Sequence, residues 1–241
     1  MLSADRVAEV FVEVADTLVD DFDVIDFLQL VTAHTSELVP DTAVGLLLAD
    51  AEQRLQVMAA SDDRTELLEL FQVQSRQGPC QDCFTTGAAV VNADLEQAAG
   101  RWPLFAPRAV EAGFRSVHAF PLRLRGEVIG ALNLFNPHVG TLADDVARIL
   151  QALADVATIG LLQERAIRRG EQLTEQLQQA LNSRIAIEQA KGALAQLHGT
   201  GIDEAFELLR GYSRRQHLRI SDVARAVVND PDSVPELTRS R

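Results

Sequence analysis

The strongest constraint on the fold of this chain comes from three short amphipathic segments between residues 182 and 225. In each segment apolar residues recur at steps of three and four, which places them on one face of a helix. The stripes are Ile187, Ala190, Leu194 and Leu197 in the first segment, Ala205, Leu208, Leu209 and Tyr212 in the second, and Val223, Ala224 and Val227 in the third. A helix with one apolar stripe must bury it against another element. The segment therefore predicts a small domain of three packed helices.

The breaks between these helices are expected from local sequence. Gly199 and Gly201 end the first helix, and Thr200 or Asp203 is expected to cap the second. Ser221 is expected to cap the third helix, because a serine side chain accepts a hydrogen bond from the first turn.

Charge is distributed unevenly along the 241 residues, whose net charge is −13. Residues 1–163 contain 24 acidic residues, 10 arginines and no lysine, a net of −14. Residues 164–241 contain 11 acidic and 12 basic residues, a net of +1. The first part would repel a polyanion, so any contact with nucleic acid is expected in the last third of the chain.

Several residue groups in this last third resemble the ANTAR domain, a small three-helix RNA-binding domain of bacterial antitermination regulators. The groups are Ser183-Arg184, Ile187-Glu188-Gln189-Ala190-Lys191-Gly192, Glu204-Ala205-Phe206, Leu209-Arg210 and Asp222-Val223-Ala224. They span about 45 positions in a fixed order, which makes the motif specific. The resemblance implies binding to paired stem-loops in a messenger leader, usually by a dimer, with a change in termination or in access to the start site.

Basic residues off the apolar stripes are the candidate RNA contacts. They are Arg184 and Lys191 on the first helix, Arg210, Arg214 and Arg215 near the end of the second, and Arg219 beyond it. Arg184 and Lys191 are seven residues apart, hence only about 20° apart around a helix. The alternative for Arg184 and Arg210 is a salt bridge within the domain, to Glu188 and Glu207. Groups that could stack on bases are expected to be Tyr212, His217 and the arginines.

The N-terminal two thirds of the chain show the mixed pattern of an α+β domain. Short β-branched and aliphatic runs predict strands at 42–49, 55–60, 88–91, 117–124 and 128–135. Arg125-Gly126-Glu127 lies between the last two and is the strongest hairpin signal. Helical patterns flank the strands, including one with Leu67, Leu70 and Phe71. Hairpins with helices at both ends predict an antiparallel sheet flanked by helices.

Part of this region resembles a GAF domain. Phe120-Pro121-Leu122, Gly126 and residues 128–134 are similar to the end of such a domain, and Gly78-Pro79-Cys80-Gln81-Asp82 with residues 87–92 are similar to GAF domains that precede ANTAR domains. The resemblance covers about residues 20–163. It implies a sensor with a small-molecule pocket over one face of the sheet, and the cofactor or ligand is left unknown.

Particular GAF ligands can be weighed against the residues. The Asn-Lys-Phe-Asp-Glu signature of cyclic-nucleotide-binding members is absent, and residues 1–163 contain no lysine at all. Haem would need an axial histidine facing the pocket, for which His118 is the only candidate. A histidine on a strand is far more often a packed or surface residue.

Cys80 and Cys83 follow Pro79 at the expected start of a helix. Two thiols on one face of a helix N-terminus would have lowered pKa values, which favours oxidation. Three interpretations stay open: two buried apolar side chains, a redox switch, or contacts to a ligand. A structural zinc site is not expected, because no second cysteine pair is present.

A leucine repeat connects the two parts of the chain. Leu173, Leu177 and Leu181 recur at four-residue spacing, so a helix that leaves the sensor is expected to continue into the first ANTAR helix. The stripe either packs on its own domain or pairs with a second copy of the chain. Dimerisation is favoured because it would also supply two RNA-binding heads.

These observations predict an α+β fold: a GAF-like antiparallel sheet flanked by helices, a long helix, and a small all-α three-helix domain. The expected boundaries are 1–163 for the sensor, 164–172 for a helical linker, 173–229 for the ANTAR domain and 230–241 for a flexible tail. No catalytic motif and no membrane-spanning or signal segment is recognisable, so a cytoplasmic protein that is not an enzyme is expected.

The predicted function is a signal-responsive, homodimeric regulator that binds RNA stem-loops and acts on transcription antitermination or on translation. Two alternatives remain. One is a DNA-binding transcription factor with a GAF sensor, because three small helices also describe a helix-turn-helix unit. The other is a thiol redox sensor that acts through Cys80 and Cys83.

Overall fold

The computed structural model describes residues 3–18 and 22–238, and it divides the chain into two compact units between Arg165 and Ala166. The elements of the first unit are α1 (Ala4–Thr17), α2 (Val24–Leu38), β1 (Ala43–Ala49), β2 (Leu55–Ala60), α3 (Asp63–Ser75), α4 (Pro79–Thr86), β3 (Val90–Asp94), α5 (Phe105–Glu111), β4 (Ser116–Leu124) and β5 (Glu127–Asn136). The α6 helix (Asp144–His198) begins in the first unit and continues into the second. The second unit adds α7 (Ile202–Gln216), α8 (Ile220–Asn229) and α9 (Pro235–Thr238). This confirms the predicted fold class.

The five strands form one antiparallel sheet in the order β2-β1-β5-β4-β3. The β4–β5 hairpin closes at Arg125 and Gly126, with Leu124 paired to Glu127. Arg125 has φ +58°, the left-handed conformation that a two-residue hairpin turn requires. The hairpin predicted from these residues is therefore confirmed.

The sheet separates two hydrophobic cores, because successive side chains of a strand point to opposite faces. On one face Leu46, Phe120 and Leu132 pack with apolar residues of α1, α2 and the first part of α6. On the other face Leu47, Val117 and Phe135 pack with residues of α3, α4 and α5. Both faces are thus covered by helices.

Two details of the first unit differ from the sequence-based expectation. The strand expected at 88–91 is Val90–Asp94, with an irregularity in its pairing to β4. The predicted helix around Leu67 exists, but Leu67 and Leu70 face outward, with 68% and 39% of their surface exposed. The buried face of α3 instead includes Glu69 and Gln72. Because the buried face of α3 carries polar residues, the pattern of apolar residues did not show which face is buried.

In the second unit, one core holds the three expected helices together. It contains Ala186, Ala190 and Leu194 of α6, Ala205, Leu209 and Tyr212 of α7, and Val223, Ala224 and Val227 of α8. The expected caps were wrong: Gly201 and Arg219 precede α7 and α8, and neither makes a side-chain capping bond.

The segment after α8 was predicted to be part of a flexible tail over 230–241, but its described residues form two short helical elements. Pro231–Ser233 form a 3₁₀ turn and Pro235–Thr238 form α9. Val234 and Leu237 are each 4% exposed within the core of the second unit. His198 Nε2 also lies 2.7 Å from the carbonyl oxygen of Leu237, which ties α6 to α9. Two apolar residues three positions apart are enough to dock this short segment.

Candidate functional site

The α6 helix presents two of the six candidate RNA contacts. Arg184 is exposed. Lys191 is more confined: only 16% of its side chain is exposed, and its ammonium lies 2.9 Å from Glu188 Oε2. The same ammonium sits 5.6 Å from the centre of the Phe206 ring on α7. Glu188 thus pairs with Lys191, and the salt bridge considered for Arg184 does not form.

The end of α7 carries three further candidates, all exposed. Arg210 makes the salt bridge to Glu207 that the sequence allowed, at 3.3 Å. Arg214 and Arg215 lie in the last turn, where the carbonyl end of the helix dipole favours positive charge. The Arg215 guanidinium lies 6.0 Å from the centre of the Tyr212 ring.

Arg219 is exposed and immediately precedes α8. The candidates therefore lie on α6, at the end of α7 and at the α7–α8 junction of one small unit. The structure brings Lys191 and α7 together through Phe206.

Two aromatic side chains change the expected set of base-stacking groups. Tyr212 is only 8% exposed and belongs to the core, so it is not free to stack on a base. Phe206 is partly exposed and was missed as a surface aromatic, although it stands within the residue pattern of α7. Its contact with Lys191, fifteen residues earlier, could have been found only from the packing of α6 on α7.

The first unit contains a buried polar cluster, made by Glu69, Gln72 and Asn133, that sequence reasoning also missed. All three side chains are fully buried. Asn133 Nδ2 donates to Glu69 Oε1 at 2.7 Å, and Gln72 Nε2 donates to Glu69 Oε2 at 2.6 Å. Gln72 Oε1 accepts from the backbone N–H of Cys80 at 3.3 Å. The cluster thus links α3, α4 and β5.

Burial raises the pKa of Glu69 from its usual 4.5 to about 8, and the two amide hydrogen bonds oppose that rise. The carboxyl group is therefore mostly protonated at neutral pH. Space for it comes from Gly45 on β1, where an added Cβ would lie 2.1 Å from Glu69 Oε1. A carboxyl group on a helix normally marks the solvent face, so only the missing side chain at Gly45 could have signalled this arrangement.

Cys80 and Cys83 lie in the first turns of α4, as expected, but both are fully buried. Burial raises the pKa of Cys80 well above its usual value, and burial raises the pKa of Cys83 to about 12. The lowered pKa expected from the helix dipole is wrong, because loss of hydration outweighs the dipole. Both thiols are protonated members of the core under the α3–α5 face.

His118 lies on β4 and is 1% exposed. Its Nδ1 accepts a hydrogen bond from the backbone N–H of Asn92 at 2.9 Å. Burial lowers the pKa of His118 to about 4, so the ring is neutral and its single proton is on Nε2. Neither ring nitrogen has a free lone pair to offer a metal, so His118 is unsuited to be the haem ligand that the sequence left open.

Other binding chemistry is limited in the described ranges. Across residues 3–18 and 22–238, no three His, Cys, Asp or Glu side chains are grouped so that they could hold a metal ion. No helix in the described part of the chain has both the length and the apolar composition to cross a bilayer. A cleft of about 590 Å³ beside β2 and α4 is lined by polar residues, including Arg54 and Arg76, together with Phe84.

Solved structures share the fold of the first unit. The GAF domain of a phosphoenolpyruvate-protein phosphotransferase from Coxiella burnetii is 18% identical with a TM-score of 0.54, over 69% of this chain and 99% of that one. The corresponding domain from Acinetobacter is 14% identical with a TM-score of 0.53, over 68% and 94%. Free methionine-R-sulfoxide reductase from Neisseria meningitidis is 20% identical with a TM-score of 0.54, over 69% and 96%. At these identities the likeness shows the fold alone.

The sheet with its flanking helices, the long α6 helix and the small helical unit are the parts of one class of regulators. In that class an RNA-binding domain follows a sensor domain. The GAF domain model matches residues 23–162 and the ANTAR domain model matches residues 175–228. The chain belongs to the GAF domain family and carries an ANTAR domain after it. No curated protein matches the sequence. Because GAF is a sensor domain and ANTAR an RNA-binding antitermination domain, the chain is a signal-responsive regulator.

Proposed function

We propose that this protein binds paired stem-loops in messenger RNA through its second unit and thereby controls antitermination or translation in response to a signal received by the GAF domain. The observation that carries the proposal is the uneven charge of the chain: residues 1–163 have a net charge of −14 and residues 164–241 a net charge of +1. Arg184, Arg214, Arg215 and Arg219 are all exposed there. A phosphate backbone would be attracted to this unit and repelled by the sensor.

The proposed RNA surface has a defined order of importance. Arg214 and Arg215 are exposed and make no salt bridge in the described part of the chain, so a phosphate can approach them directly. Lys191 and Arg210 already pair with Glu188 and Glu207. RNA must compete with these carboxylates, which lowers the net gain from each contact. We therefore assign the principal contacts to the end of α7.

We also propose that the protein acts as a homodimer. Leu173, Leu177 and Leu181 on α6 are 57%, 62% and 52% exposed, at the four-residue spacing of a helix face. Such a stripe is stabilised by pairing with its own copy. A dimer would present two RNA-binding units, which fits recognition of paired stem-loops.

Binding of the full-length protein to a two-stem-loop RNA and to a duplex DNA of equal length, at one salt concentration, tests the function. Tighter binding to the RNA supports it. Equal or tighter binding to DNA would favour the transcription-factor alternative.

A second arm of the same experiment tests the dimer. Leu177→Glu should give a monomer by sedimentation and weaken binding to the paired stem-loops, whereas Gln179→Glu, at another exposed position of α6, should do neither. If the parent protein is a monomer, and Leu177→Glu binds the paired stem-loops as tightly as the parent does, the dimer proposal is wrong although RNA binding stands.

A further inference from the structure

An unused hydrogen-bond donor lies beneath the loop that leads into α6. Because His118 Nδ1 accepts from Asn92, the proton of the neutral ring is on Nε2. That N–H has no acceptor in the described residues of the chain, although the side chain is 1% exposed. Because Nε2 is not among the fully buried atoms that lack a partner in the described residues, it reaches solvent, and a ligand with an acceptor would replace the water there.

His118 lines a cleft of about 240 Å³ at the end of the sheet, between the segment before β1 and the loop from β5 to α6. Two neighbouring polar groups have fixed roles. Thr42 Oγ1 donates to Asn136 Oδ1 at 2.6 Å, so the Nδ2 hydrogens of Asn136 remain available. Ser116 Oγ donates to the carbonyl oxygen of His138 at 2.8 Å, so its lone pairs remain available.

The charge around the cleft selects the ligand. Asp41 lines it, and Asp144 and Asp145 begin the helix that follows. No lysine or arginine lines it. An anion would therefore be repelled, and the cleft offers two donors together with acceptors.

We propose that this cleft is a binding site for a small uncharged compound with a carboxamide or lactam group. The carbonyl oxygen accepts from His118 Nε2–H and Asn136 Nδ2–H, and the amide N–H donates to the Asp41 carboxylate or to Ser116 Oγ. The inference deepens the proposed function, on which it rests only for the role of the ligand as a signal.

The position of the cleft gives such a ligand a route to α6. Asn92, whose backbone N–H donates to His118 Nδ1, also forms two hydrogen bonds with the backbone of Leu142. Its Oδ1 accepts from Leu142 N at 2.6 Å, and its Nδ2 donates to Leu142 O at 3.4 Å. Leu142 lies two residues before the start of α6. Leu142 also lines the cleft, so a ligand at His118 would lie beside a residue that leads into this helix.

The test uses the full-length protein and nicotinamide as the probe, with nicotinate as the matched anion. Side-chain nitrogen resonances of the five histidines are followed by NMR during each titration. Nicotinamide should shift the Nε2 resonance of His118 in a saturable manner, and nicotinate should bind at least about tenfold more weakly. An unmoved His118 resonance, or equal binding of the two probes, would overturn the proposal.

Asn136→Asp provides the variant, because it keeps an acceptor for Thr42 but removes the amide donor and adds a negative charge. Nicotinamide affinity should fall by about tenfold. Asn182→Asp, whose side-chain oxygen accepts from Gln178 on the exposed face of α6, adds the same charge elsewhere and should leave affinity unchanged. Equal affinity of Asn136→Asp and the parent would contradict the assigned contacts. These titrations contain no RNA, so their failure is distinct from a failure of the protein to bind stem-loops.

Discussion

The two units of the chain keep their polar groups in opposite places. The sensor unit encloses Glu69, Gln72 and Asn133 in a core under a sheet, whereas the second unit exposes its arginines around a core built largely from alanine, leucine and valine. The free energy of unfolding of the first unit should therefore depend on pH, through a buried carboxyl group. The free energy of RNA binding by the second unit should depend on salt concentration, through contacts with phosphate. A sensor and a binding surface thus place different electrostatic demands on one chain.

The largest expected effect concerns the small core of the second unit. Removing residues 230–241 deletes the buried Val234 and Leu237 and the hydrogen bond at His198. Burial of two such side chains contributes about 3–6 kcal/mol, so the unit should lose much of its stability. Thermal unfolding followed by circular dichroism would measure this. Removal of residues 239–241 alone is the control, and equal stability of both shortened chains would show that the segment is dispensable.

Next in size is the pH dependence that Glu69 confers on the sensor unit. Its pKa is raised in the folded protein, so the folded state holds the proton more tightly and stability falls as pH rises from 4.5 to about 8. Glu69→Gln keeps the shape of the protonated side chain and removes this loss. The variant should match the parent near pH 5 and exceed its unfolding free energy by about 2–4 kcal/mol near pH 8.

Denaturant unfolding at several pH values measures the difference. Glu66→Gln, on the exposed side of α3, is the matched control and should leave the pH dependence unchanged. If Glu69→Gln were less stable than the parent at high pH, the carboxyl group would be ionised in the native core. The pH dependence expected for the first unit would then be wrong.

A smaller effect is expected from single charges on the RNA surface. Arg214→Ala and Lys191→Ala should each weaken stem-loop binding and reduce the dependence of log affinity on log salt concentration by about one. Arg214→Ala should have the larger effect, because Lys191 is held by Glu188 and Phe206. Arg225→Ala, which loses only a pair with Asp222, is the control. Filter binding across a salt series would decide, and parent-like binding of both test variants would place the RNA elsewhere.

The smallest effect is expected at the cysteines. Because Cys80 and Cys83 are buried and protonated, native protein should react with iodoacetamide roughly a hundredfold more slowly than unfolded protein. A mild oxidant should leave RNA affinity unchanged. Rapid formation of a Cys80–Cys83 disulfide in the native protein, found by mass spectrometry, would instead revive the redox-sensor alternative.

Periodicity was sufficient to predict most of the architecture. The stripes of α6, α7 and α8 and the Arg125-Gly126 turn are local signals, and the structure confirms the elements that they predicted. Candidate RNA contacts could be placed on helices in the same way. Their ranking could not, because the pairing of Lys191 with Phe206 depends on how two helices pack.

Failures of sequence reasoning share one physical cause, which is burial. The helix dipole at Cys80 was visible in the sequence, but the loss of hydration that outweighs it was not. Glu69 and Gln72 are polar, so the sequence did not mark their face of α3 as the buried one. Val234 and Leu237 form too short a pattern to be recognised without the core that receives them.

The lack of a side chain at Gly45, which leaves room for Glu69, has an evolutionary consequence. A methyl group there would overlap Glu69, so neither position can change freely while its partner is retained. Gly45→Ala should be deleterious alone and tolerated when residue 69 is shortened, as in Glu69→Ala, which makes the two sites epistatic. Homologues that have lost the glycine are therefore expected to have lost the glutamate as well. The pair would identify, from sequence alone, those relatives that keep an acid in the sensor core.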